Sequence, residues 1–434
     1  MSTVPDAAGA LVAHTQADRP TRALPLVHLL ELSVYWLGIN AIWAALHDVI
    51  LPRRLEDIVG ILDAGKALGI VTTAGVVMAI LVQPTAGAIS DYTVSRWGRR
   101  KPYIAVGATL DVLFLIGIAT ANSFLLIVVF LVLLQFSSNL AQGPFQGYVP
   151  DLVPARQVGL ASGLMGVMIV LGQVVGVGLA SIGLVLGDFV LVTVALGVVQ
   201  LLAAVILLAT VREGRAAPSR DGRSWLEIAR TTWGTDVLRE RSFVWLVASR
   251  LCFLAAPAII TGFALYYLNR SLGMTDREAG TWLFAILGVV GAATAVTTYP
   301  AARLSDRFGR KPVIYASCLA GALGTVGVIL APNILVAIAS LIPVGIAIGA
   351  FLAVDCALMT DIIPKATSGR YMGISNVATA SAGPVGLLFG GVVLDAVTRT
   401  DVAAGPRIAF FVTLMFYALG ALFLVPVDAR RRED

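Results

Sequence analysis

Arg250 and Asp355 are charged side chains placed where charge is expensive. Each lies inside a long apolar run, roughly 12 Å and 9 Å deep at 1.5 Å of helix rise per residue. An ionised group at such depth has to find a partner. The similar depths predict that the two pair or share a hydrogen-bond network. Asp355 is then the first candidate for a group that carries a proton, and Glu31, near the start of the first apolar run, the second. Amides supply the neutral chemistry. Gln135, Asn139, Gln142 and Gln146 are spaced by four, three and four residues, so they share one helical face. Such a stripe suits a cavity wall that hydrogen-bonds hydroxyl groups. Trp36, Asn40 and Trp43 form a second stripe, with His47 a further turn on. An aromatic face beside an amide fits a sugar ring, which has apolar C–H faces and a polar rim. With Arg250, these side chains are the candidate solute-binding set: Trp36, Asn40, Trp43, Gln135, Asn139, Gln142, Gln146 and Arg250.

Other chemistries find no residues to perform them. No Gly-x-x-x-x-Gly-Lys-Ser/Thr loop is present to cradle a nucleotide. No catalytic or metal-ligating cluster stands out, so neither an enzyme nor a cofactor is expected. Cys252, Cys318 and Cys356 each lie in an apolar segment and read as small packing residues.

The elements that position these residues follow from composition. Of 434 residues, 58% are hydrophobic and 13% charged, and the mean hydropathy is +0.88. A soluble fold could not bury that much apolar surface, so soluble enzymes, nucleic-acid binders and disordered chains are excluded. A bilayer accommodates about 20 apolar residues per helical span. Apolar runs at 28–51, 66–90, 102–121, 124–149, 159–184, 188–211, 243–268, 278–304, 312–330, 334–360, 371–395 and 405–427 predict an all-α membrane protein of twelve spans. Residues 1–27 read as a tail, 28–211 and 243–427 as six-helix bundles, 212–242 as a linker with an amphipathic helix, and 428–434 as a second tail. Lys and Arg divide 23 to 7 between alternate sides, with Arg250 inside a span. The positive-inside rule then puts both termini in the cytoplasm.

The halves repeat. A shift of 210 residues carries Lys101-Pro102 onto Lys311-Pro312, Asp151 onto Asp361 and Pro154 onto Pro364. Parallel repeats of this kind are one way to build a secondary transporter, with the solute between the halves. Two basic loops lie at matching places. The first runs from Gly87 to Pro102 and contains Asp91, Gly98, Arg99 and Arg100. The second runs from Arg303 to Pro312 and contains Asp306, Gly309 and Arg310. Gly permits the tight turn and Pro starts the next helix. The Asp is expected to accept from a helix N-terminus or to pair with Arg across the gap between halves. Asp151 is expected to pair with Arg100, and Asp361 with Arg310. These nine residues are the candidate conformational gates.

The loop pair resembles the signature of the major facilitator superfamily, and the resemblance covers nearly the whole chain. The stretch Ser90-Asp91, Ser95 and Gly98-Arg-Arg-Lys-Pro-Tyr-Ile104 is similar to the glycoside–pentoside–hexuronide cation symporters, sucrose-transporter-like branch. That resemblance implies a twelve-helix fold and cation-coupled uptake of a glycoside. The sodium-coupled members carry carboxylates on spans two and four, and this chain has none there, which favours a proton as coupling cation. Two rivals stay open at this stage: a proton-coupled exporter on the same fold, and a non-transporting receptor or assembly factor. A monomer in the inner (plasma) membrane is expected.

Overall fold

The computed structural model describes residues 22–213, 224, 225, 227, 240–362 and 368–428. Most of the expected amphipathic linker helix and both tails lie outside the described residues. Among the described residues, twelve helices are long and apolar enough to cross a membrane. We label them α1 (Leu26–Val59), α2 (Ala64–Asp91), α3 (Lys101–Thr120), α4 (Phe124–Gln146), α5 (Val158–Leu186) and α6 (Phe189–Thr210). The second six are α7 (Arg241–Gly262), α8 (Asp276–Phe308), α9 (Arg310–Leu330), α10 (Ile334–Ile362), α11 (Ser368–Thr398) and α12 (Ala404–Leu424). All twelve overlap the expected runs. The main difference is at α1, which continues to Val59 rather than stopping near residue 51. Its extension Leu51–Val59 is strongly amphipathic, so an apolar-run criterion misses it.

Local chemistry sets the helix ends. Ser123 and Asp188 accept from the backbone of Leu126 and Leu191 to start α4 and α6. Thr275 and Glu278 form a reciprocal capping box at α8. In the basic loops, Gly98 (φ 119°) and Gly309 (φ 94°) take backbone conformations that a Cβ would strain. The repeat is visible in geometry. Lys101 donates to the carbonyl of Leu208 at the end of α6 (2.7 Å). Lys311 donates to those of Val425 and Val427 at the end of α12 (3.0 and 2.9 Å). Lys101 satisfies a carbonyl of the last turn of α6, and Lys311 satisfies two just past the end of α12.

The two halves meet on the face opposite the arginine-rich loops and part on the arginine-rich face. On the closed face, Gly65 and Gly69 of α2 press against Gly391 and Leu388 of α11 so closely that a Cβ on either glycine would collide. Gly280 of α8 sits against Ser181 of α5. Toward the arginine-rich end, Gly163 and Gly166 of α5 have no atom near a built Cβ, and neither do Gly288 and Gly291 close to the middle of α8. The molecule is therefore caught open toward its arginine-rich side.

Extensions of α1 and α7 help close the far side. Both pass through a π-helical turn, Leu46–Ile50 and Tyr267–Ser271. Tyr266 donates to the Pro52 carbonyl (2.7 Å), and Arg270 pairs with Glu56 (3.0 Å) while stacking on the Tyr266 ring. Asp395 of α11 accepts from the backbone N–H groups of Gly65 and Lys66 (2.9 and 2.7 Å), so it caps the first turn of α2 from the other half.

Candidate functional site

Arg250 on α7 and Asp355 on α10 meet: Nη1 lies 2.7 Å from Oδ2. The guanidinium is held on a second edge, where Nε donates to the Thr379 hydroxyl of α11 (3.0 Å). Thr379 in turn donates to the Ser375 carbonyl (3.0 Å). One turn away on each main helix, Phe253 and Phe351 stack with ring centres 3.8 Å apart, on the closed side of the pair. The aromatic stack screens the ion pair from that side, while Arg250 keeps 12% of its side chain exposed. Asp355 is 3% exposed, and its Oδ1 has no hydrogen-bond partner among the described residues. A buried carboxylate oxygen without a donor is costly. Thr379 was not singled out from sequence; a lone Thr in an apolar helix bonds its own backbone too often to be a signal.

The first half contributes a different surface. Trp36 packs against Phe145 of α4 (centroids 5.6 Å), as does Tyr35 (4.9 Å). Trp43 lies over His47 (5.3 Å). Asn40 spends its N–H on the Trp36 carbonyl (2.8 Å), which leaves its oxygen to accept. The α4 stripe divides in two. Gln135 and Asn139 are 8% and 4% exposed. Asn139 donates to the Gln135 side chain and carbonyl (2.9 and 2.8 Å), and Gln135 faces Gly75 of α2. Their amides are thus used locally, and the open wall expected of them narrows to Gln142, half-buried, and Gln146, exposed. Among the described residues, no hydrogen bond or ion pair joins the α1 and α4 set to Arg250 and Asp355. Glu31 sits elsewhere, at the arginine-rich end of α1, with a carboxylate oxygen 2.7 Å from His28 Nδ1.

Among the described residues, the gating ion pairs lie within a half, and the expected Arg100–Asp151 pair is among them. Arg100 bridges Asp91 (2.7 Å) and Asp151 (3.0 Å), and Arg99 also reaches Asp151 (2.8 Å). Arg310 pairs with Asp306 (2.6 Å) on its own side. The Asp361 side chain lies outside the described residues. Sequence reasoning missed Glu213, which follows α6 and accepts from the backbone N–H groups of Arg100 and Lys101 (3.1 and 3.0 Å). It caps α3 as an acid at a helix N-terminus should. Its available signal was being the first acid after span six. Burial first, and then the Glu213 carboxylate, hold the Tyr148 hydroxyl above the ordinary tyrosine range.

The two motif copies are unequal. Arg100 is 5% exposed and serves two carboxylates, whereas Asp306 is 67% exposed. Arg100→Ala is expected to cost about 1.5–3 kcal/mol, the range for hydrogen bonds to charged groups. Asp306→Ala is expected to cost under about 0.5 kcal/mol, as for an exposed i,i+4 pair. Thermal unfolding of both variants in detergent checks the order; equal losses would contradict it.

The family model described as Major Facilitator Superfamily matches residues 32–294 and 257–434. The chain belongs to that superfamily. Among curated relatives, it is 30% identical over 131 residues to the niacin transporter NiaP of Acinetobacter baylyi, covering 30% of this chain and 29% of that protein. It is 27% identical over 124 residues to the sucrose transport protein SUT1 of Oryza sativa subsp. japonica, covering 24% and 23%. The chain thus matches less than a third of these relatives' own length. Among solved structures, a D-xylose-proton symporter superposes with a TM-score of 0.72 at 17% identity, covering 94% of this chain and 100% of that one. That likeness shows the fold.

Proposed function

We propose that this superfamily member is a proton-coupled symporter of a small polar solute of the sugar or glycoside class. It works by alternating access between the bundles 28–211 and 243–427. The positive-inside bias supports an inner (plasma) membrane location with both termini and the basic loops in the cytoplasm. On that orientation the state described is inward-open. Asp355 is the leading proton-coupling residue.

The observation that carries this reading is the Arg250–Asp355–Thr379 arrangement with its unpartnered Asp355 oxygen. Paired with Arg250, the carboxylate is neutralised. A solute hydroxyl that engages the guanidinium weakens that pairing and leaves Asp355 buried with its charge uncompensated. Proton binding relieves it, so solute and proton bind together. Trp36, Phe145 and the Asn40 oxygen offer a stacking face and an acceptor on the other bundle. The resemblance of the Ser90–Ile104 loop to glycoside cation symporters, and the sucrose carrier among the relatives, favour a sugar over the niacin that NiaP is named for.

The test is uptake into liposomes of a labelled disaccharide panel, with and without an inward proton gradient. Gradient-driven accumulation of one sugar, lost in Asp355→Asn and in Arg250→Gln, is the expected result. Full activity in both variants would remove the pair from the mechanism. No uptake of any sugar under either condition would remove the solute class.

A further inference from the structure

A second buried acid lies outside that site. Asp111, in the middle of α3, is fully buried. Ser137 of α4 donates to its Oδ1 (2.5 Å). The Gln200 amide of α6 donates to its Oδ2 (3.3 Å) and to the Tyr35 hydroxyl of α1 (3.1 Å). Four helices of the first half therefore share one polar knot in hydrocarbon, and Ser137, Gln200 and Tyr35 are all fully buried as well. Among the described residues, the only titratable group facing Asp111 from α1, α4 or α6 is Tyr35. Among the described residues no Lys, Arg or His pairs with it.

The fold does not require this knot. The 210-residue shift brings the starts of α3 and α4 onto those of α9 and α10. It places Gly321 where Asp111 stands and Ala347 where Ser137 stands. In the second half Tyr417 of α12 occupies the space over Gly321. One half is thus packed without an acid at a position where the other keeps one.

We propose that Asp111 is an exchangeable proton-binding site in the core of the first half, connected through Gln200 to Tyr35 behind the aromatic wall. The amide supplies the switch. As it stands, its NH2 group donates to a carboxylate and to the tyrosine oxygen, while Oε1 is buried without a partner. Turned by 180°, its oxygen would accept from a protonated Asp111 and from the Tyr35 hydroxyl. The knot can therefore hydrogen-bond Asp111 with or without its proton: the Ser137 bond stays, the Tyr35 hydroxyl turns from acceptor to donor, and the amide NH2 takes the place that Oε1 held. Gly38 of α1 leaves room for the amide, since a Cβ there would collide with Gln200 Oε1. Tyr35 packs edge-on against Phe145, whose ring also meets Trp36. A solute pressing on Trp36 and Phe145 would move Tyr35, and with it the amide that reads the proton.

This inference goes beyond the reading of Asp355, and its test needs no solute. The full chain in lipid vesicles is studied by infrared difference spectroscopy across a pH series, in H2O and D2O. A carboxylic-acid C=O band should fade as pH rises, shift in D2O, and vanish in Asp111→Asn while surviving Asp355→Asn. Tyr35→Phe and Gln200→Leu keep the acid but remove its partners, so each should shift that band even if Asp111→Asn folds poorly. An unchanged spectrum in Asp111→Asn, or in both partner variants, overturns the proposal. So does a band that never titrates or exchanges, which would make Asp111 a locked structural acid.

Discussion

Asp355→Ala will destabilise the protein more than the double replacement Arg250→Gln with Asp355→Asn. Removing one member of a buried pair strands the other charge, at a cost of about 3–5 kcal/mol. Arg250 would keep only Thr379, and at 12% side-chain exposure it has little water to turn to. The double variant removes both charges and keeps both shapes, so its loss should be a fraction of the single one. Transport should be lost in both. Thermal unfolding in detergent gives the order, and liposome uptake gives the second readout. If Asp355→Ala unfolds at the wild-type temperature, the ion pair carries no buried charge and cannot couple proton to solute. If the double variant transports a solute against its gradient, the coupling lies elsewhere, and Asp111 becomes the acid to examine.

The pairing of Arg250 with Asp355 was legible because depth in an apolar run is a one-dimensional quantity. Helix rise turns residue count into distance, and two charges at one depth in a bundle have few other partners. Span number was legible for the same reason, and the basic loops because they repeat. What could not be read was orientation around each helix axis. Gln135, Asn139, Gln142 and Gln146 share a face, but only packing against Gly75 of α2 decides that the first two are sealed in. Partners across long sequence separations were equally hidden. Nothing local marks Glu213 as the cap of α3, or Asp395 as the cap of α2, 330 residues from its donor partner Gly65. The basic loops left two partners open for each Asp, a helix N-terminus or an Arg across the halves; in this state the bonds found among the described residues stay inside each half.

Those cross-half contacts make a second strong prediction. A valine at Gly391 cannot coexist with the closed side, because any Cβ there would collide with the Gly65 carbonyl, and backbone cannot step aside as a side chain can. Gly391→Val should hold the halves apart on that face and remove the state described here. Asp395→Ala should do so more weakly. It deletes two charge-assisted bonds to the first turn of α2 but leaves Glu56–Arg270 and Tyr266–Pro52 in place. A cysteine at Leu394, which is fully buried at this seam, reports the opening in a variant free of the native cysteines. A membrane-impermeant maleimide should label it slowly in the parent, faster in Asp395→Ala, and fastest in Gly391→Val. Uptake should fall in the same order, since a carrier that cannot close one side cannot open the other. Equal labelling in all three would mean the seam already opens freely. The carboxylate cap, the ion pair and the glycine contact would then not be what keeps this face shut.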